Sequence, residues 1–175
     1  TAYEIPKCDW SSDVCSSDLN TIHNIDCLEW MKTAPKEIDL VLTSPPYNMT
    51  ERTDSYNGRY DVYSDTMNID EYLDWTAKVF NGYEKILKAN GVVLYNFSYS
   101  HENPFLPYAV INAIHKNTEM TIADTLFWKK DCALPLSTSP TKLTRYVEFV
   151  FVIVRKSELY TFKTNKKIKS TDRKS

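Results

Sequence analysis

The hydrophobic and polar positions along this chain divide its middle into an alternation of strands and helices. Ile38-Asp39-Leu40-Val41-Leu42 is a compact β-branched run and predicts a buried strand. From Ile69 to Leu87, the apolar residues Ile69, Leu73, Val79, Phe80, Tyr83 and Leu87 approximate one helical stripe. An amphipathic helix is expected there, stopped by Asn90-Gly91. Gly91 to Phe97 reads as a second strand, and Pro104 opens a helix running to about His115 with Ile111 and Ile114 facing inward. Thr121 to Trp128 and Tyr146 to Val154 predict two more strands with no helix between them. Ahead of all these, Asp26 is placed to cap a short helix, Cys27 to Thr33, which Pro35 ends.

Strands alternating with helices predict an α/β fold with a mainly parallel sheet, its last two strands forming an antiparallel edge pair. Residues 49–66 are polar, rich in Tyr and Asp and without period, and are expected to form a mobile loop. The chain shows no internal repeat, no second domain and no run of 18 apolar residues that would span a membrane.

The two ends do not fit this pattern. Residues 1–19 have no apolar period and no secretory organisation. They back-translate into the index-side adapter of short-read sequencing libraries, and residues 172–175 into the start of the opposite adapter. The expectation is therefore that the natural sequence covers residues 20–171 of a longer gene. Excluding both ends changes a net charge of −2 to a balance of 18 basic and 18 acidic residues. It also leaves only Cys27 and Cys132, which suits a reducing cytoplasm.

The three glycines, Gly58, Gly82 and Gly91, are scattered, so no G-x-G or P-loop pattern exists in the chain. Four Cys without C-x-x-C spacing and three scattered His make no zinc set, and no metal site is expected. The chemistry lies elsewhere. The first strand runs straight into Thr43-Ser44-Pro45-Pro46-Tyr47-Asn48. Two consecutive prolines donate no backbone hydrogen bonds and fix their own φ, so they end the ladder in a rigid bend. The bend leaves carbonyls pointing outward at the carboxyl end of a strand, where open α/β sheets place ligands, and it presents Tyr47 for stacking.

The stretch IDLVLTSPPYN resembles motif IV of the DNA amino-methyltransferases, which methylate cytosine N4 or adenine N6. Asn24-Ile25-Asp26-Cys27-Leu28-Glu29 is similar to that family's "GDCLE" element, although Asn24 and Ile25 stand where a Gly is common. Gly91-Val92-Val93-Leu94-Tyr95-Asn96, Phe127-Trp128-Lys129 and Tyr146-Val147-Glu148-Phe149-Val150-Phe151 resemble its later strands. The likeness covers nearly all of residues 20–164. It implies an incomplete Rossmann-like methyltransferase sheet, with the glycine-rich motif of the cofactor S-adenosylmethionine expected downstream.

By this resemblance, Ser44 and the Pro45 carbonyl bind the target amino group, Pro46 shapes the bend, Tyr47 stacks on a flipped-out base, and Asp26 contacts the cofactor's adenine. Asn48 follows the pattern without an assigned role. Lys130, Lys142 and Arg145 flank a stretch placed near the target base and are the expected contacts to double-stranded DNA. Asp26 has a plain reading as a helix cap, and the Lys163, Lys166, Lys167, Lys169 run one as a solvated tail. Ser44 at the first motif position favours cytosine N4 over adenine N6. A homodimer and a cognate restriction endonuclease are partners that the resemblance allows, in a bacterial or phage-encoded cytoplasmic protein. An RNA or protein-glutamine amino-methyltransferase and an inactive DNA-binding remnant stand as alternatives.

Overall fold

The computed structural model describes residues 21–48, 67–98, 103–131 and 146–161. In chain order these form α1 (Cys27–Thr33), β1 (Ile38–Thr43), α2 (Ile69–Ile86), β2 (Leu87–Asn96), α3 (Leu106–Asn117), β3 (Met120–Lys129) and β4 (Val147–Arg155), then a 3-10 turn at Lys156–Glu158. The expected adapter-like ends at residues 1–19 and 172–175 and the expected loop at 49–66 lie outside the described residues. No described helix is long and apolar enough to cross a membrane.

The sheet has the order β1-β2-β4-β3. β1 and β2 pair in parallel, and β4 pairs antiparallel with both β2 and β3. Three strands thus run one way and β4 alone runs against them. This is the expected α/β sheet ending in an antiparallel pair, with the last strand in sequence set inside the sheet and β3 at its rim. α2 and α3 bury Tyr72, Phe80, Val110 and Ile114 against Val93, Tyr95 and Ile153 of the sheet.

The local chemistry explains most element ends. Asp26 Oδ1 accepts from the Leu28 and Glu29 amides at 2.8 and 3.2 Å, which satisfies two orphan donors of α1. Asn68 does the same for α2 through the Asp70 amide at 2.9 Å. On α2 the expected stripe is shifted: Ile69 is exposed, while Tyr72, Thr76 and Ile86 are buried. Gly82 lies where α1 crosses α2. A Cβ there would stand 2.7 Å from Met31 Sδ, so the bare backbone permits the close approach.

The helix end falls within one residue of the expected Leu87, but Asn90-Gly91 is not its stop. α2 ends at Ile86, and β2 starts at the next residue instead of at Gly91. The β1–β2 register passes from Ile38↔Leu87 to Leu40↔Val92, so Asp39 alone faces Lys88 to Gly91. Asn90 takes φ 58° inside this bulge, using its left-handed tolerance within a strand instead of at a helix end. What terminates the helix is Arg155. Its Nη2 donates to the Glu84 and Leu87 carbonyls at 2.6 Å each, and its Nη1 to the Lys88 carbonyl at 2.8 Å. A cation there meets both the orphan carbonyls and the negative end of the helix dipole.

Candidate active site

β1 pairs with β2 as far as Thr43↔Tyr95, and the chain then leaves the sheet through Ser44-Pro45-Pro46-Tyr47. The bend is anchored from below. Tyr72, buried on α2, donates its hydroxyl to the Pro46 carbonyl at 2.6 Å. Tyr47 packs against Phe97 with ring centroids 5.1 Å apart and planes at 78°, the edge-to-face geometry that aromatic pairs favour.

The polar atoms of the bend join a chain that crosses the sheet. The Tyr47 hydroxyl donates to Asn96 Oδ1 at 2.9 Å, and Ser44 Oγ lies 3.0 Å from that hydroxyl and 3.4 Å from Asn96 Oδ1. Asn96 is the last residue of β2. Its Nδ2 donates to the Phe149 carbonyl at 3.2 Å and to Glu148 Oε2 at 3.3 Å, both on β4. Glu148 in turn holds the Lys130 ammonium. Burial pushes the Tyr47 phenol above its usual range and the Glu148 charge adds to this, against an opposing hydrogen bond from Ser44. Tyr47 is therefore a neutral hydroxyl at physiological pH.

Ser44 is exposed, and among the described residues no donor reaches the Pro45 carbonyl. The Ser44 hydroxyl thus stands exposed at the carboxyl end of a strand, next in sequence to a main-chain carbonyl, and both oxygens are of a type that accepts from an amino group. Asn48 closes the bend with φ 50°. Its Oδ1 accepts from the Met67 amide at 2.6 Å and its Nδ2 donates to the Met67 carbonyl at 3.1 Å, so it ties the bend to the start of α2.

Asp26 sits at the start of α1, bonded there to the Leu28 and Glu29 amides. Next to its cap, Cys27 lines a cavity of about 340 Å3 together with Trp30, Leu40, Leu42 and Tyr83. Burial raises the Cys27 thiol, and the Asp26 charge raises it further. The cavity lining is mainly apolar, and Asp26 is not part of it. Among the described residues no three His, Cys, Asp or Glu side chains gather into a metal site.

Ser44, Pro45, Pro46 and Tyr47 therefore come together with one another, and Lys130 reaches them only through Glu148. Lys142 and Arg145 lie outside the described residues. The sequence reading missed Asn96, Glu148 and Tyr72. The first two left a faint signal: Asn96 follows Val92, Val93, Leu94 and Tyr95, and Glu148 stands between Val147 and Phe149.

A family model described as DNA methylase matches residues 38–175. The chain is 32% identical over 128 residues to the type II methyltransferase M.HinfI of Haemophilus influenzae, across 67% of this chain and 33% of that protein. It is 32% identical over 82 residues to the type II methyltransferase M.BamHI of Bacillus amyloliquefaciens, across 46% of this chain and 18% of that protein. Among solved structures it is similar to the PvuII DNA methyltransferase (cytosine-N4-specific), with TM-score 0.56 and 22% identity over 73% of this chain and 46% of that one. At that identity the likeness is one of fold. The chain spans a third or less of the length of the curated relatives it matches.

Proposed function

Because this chain belongs to the DNA methylase family, we propose that it forms the target-base part of a longer, site-specific DNA methyltransferase acting on an exocyclic amino group. The observation that carries the reading is the exposed Ser44 hydroxyl, followed by Pro45, on a bend held by Tyr72 and Asn96 at the carboxyl end of β1. An exocyclic amino nitrogen is a poor nucleophile because its lone pair is conjugated into the ring. Accepting both of its hydrogens draws the nitrogen toward tetrahedral geometry and frees that lone pair. Position and electrostatics then do the work, without a covalent link to the protein. S-adenosylmethionine, when bound, supplies the electrophilic methyl group on a sulfonium sulfur, and the cavity beside Asp26 would hold its adenine.

A stacked base is out of reach, so the target must be flipped out, and Tyr47, fixed at ring edge and hydroxyl, would stack on it. Ser44 supports cytosine N4 over adenine N6. Lys130, Lys142 and Arg145 would meet backbone phosphates of double-stranded DNA, Lys130 by exchanging Glu148 for a phosphate. A homodimer and a cognate endonuclease complete the proposed setting.

The test is methylation of duplex DNA by the longer gene product that contains residues 20–171, followed by analysis of the product nucleosides. N4-methylcytosine is expected, and Ser44→Ala should lower kcat about 100-fold. N6-methyladenine alone would overturn the cytosine preference. Transfer to RNA or to a protein glutamine, with none to duplex DNA, would overturn the DNA reading itself.

A further inference from the structure

We propose that Asn96 is a positioning residue that directs the Ser44 hydroxyl proton inward, so that Ser44 meets the target amino group with a lone pair; this rests on the functional reading above. The two ends of a carboxamide have nearly the same shape, so its orientation must come from its partners. Asn96 Nδ2 faces the Phe149 main-chain carbonyl at 3.2 Å and the Glu148 carboxylate at 3.3 Å. A main-chain carbonyl can only accept, and this one already takes the Phe97 amide at 3.1 Å. The amide nitrogen is thereby committed to β4, and Oδ1 must turn as an acceptor toward Tyr47 and Ser44.

Two hydroxyl protons then share the Tyr47, Ser44 and Asn96 Oδ1 oxygens, with the Asn96 main-chain carbonyl a longer acceptor for Tyr47 at 3.5 Å. In one arrangement Tyr47 donates to Asn96 Oδ1 at 2.9 Å and Ser44 donates to the Tyr47 oxygen at 3.0 Å. In the other, Tyr47 donates to Ser44, which donates to Asn96 Oδ1 at 3.4 Å. Both leave the Ser44 proton inside the network and at least one Ser44 lone pair outside it. Burial pushes the Tyr47 phenol up, so it stays protonated at neutral pH. Without the amide acceptor, the Ser44 hydroxyl is at liberty to turn outward and oppose the N–H groups it should receive.

The ionisable groups facing Asn96 are Tyr47 from the bend and Glu148 from β4, with Lys130 behind Glu148. In Asn96→Asp, a carboxyl would meet Glu148 and a main-chain carbonyl. Both favour its protonated form, which alone can donate to β4 while accepting from the hydroxyls. Steady-state kinetics of the longer gene product on duplex DNA test the inference. Asn96→Leu should lower kcat on the order of 10- to 100-fold, with KM for S-adenosylmethionine and melting temperature unchanged. Tyr47→Phe should cost less, because Ser44 still reaches Asn96 Oδ1 directly. The activity of Asn96→Asp, relative to the unaltered enzyme, should rise as pH falls through the neutral range.

A folded Asn96→Leu with kcat within about twofold of the unaltered enzyme overturns the inference. Should Asn96→Leu not fold, a flat pH ratio for Asn96→Asp overturns it. If the unaltered enzyme does not methylate duplex DNA, the functional reading fails and the inference falls with it, an outcome distinct from the other two.

Discussion

Asn48 holds φ 50° directly after the proline bend, a left-handed conformation that costs an ordinary side chain about 1–2 kcal/mol. Its two hydrogen bonds to Met67 offset that strain and fix where α2 begins relative to the bend. Asn48→Ala keeps the strain and loses both bonds, so a loss of about 2–3 kcal/mol is expected in urea denaturation. Asn48→Gly loses the bonds but not the conformation and should cost about half as much. Equal losses would show that the backbone is not strained there. At this scale, legibility follows distance along the chain. Ser44 to Tyr47 could be read because four adjacent residues determine the bend by themselves. Asn96 could not, since its partners Tyr47 and Glu148 lie 49 and 52 residues away. Nothing local distinguishes it beyond being polar among Val92, Val93, Leu94 and Tyr95.

Elements show the same limit at the α2–β2 junction. Asn90-Gly91 has the chemistry of a helix stop, because both residues tolerate left-handed backbone. The structure uses that tolerance four residues later, in a strand bulge. The helix is ended from outside by Arg155, 71 residues from Glu84. Arg155→Met should destabilise the fold by about 3 kcal/mol, since three carbonyls lose a charged donor in a partly buried site. Arg155→Lys should recover little of this, because one ammonium cannot span the three oxygens that the guanidinium fork reaches. Denaturant midpoints at unchanged slope check both, and a tolerated Arg155→Met would place the helix stop back with Asn90-Gly91.

In the molecule as a whole, strand and helix alternation was enough for the α/β class and for the antiparallel β3–β4 pair. Strand order was not readable, because placing β4 beside β2 depends on which faces fit and leaves no periodic trace. The cavity that Cys27 lines is open and mainly apolar, and the chain's three glycines make no G-x-G or P-loop pattern in the sequence. This chain by itself is therefore expected to bind S-adenosylmethionine no tighter than about millimolar. Calorimetry giving micromolar affinity would mean that the residues present complete the pocket.

The position of β4 also orders events during synthesis. As the chain leaves the ribosome, β1 and β2 can pair as soon as α2 has packed, but β3 emerges before β4, its only neighbour among the described strands. Glu148 and the Phe149 carbonyl, which orient Asn96, arrive with that same strand. A nascent chain ending at residue 131 would hold the proline bend without the groups that aim it. Among the described residues, β4 thus brings the partners of Asn96 as it inserts between β2 and β3.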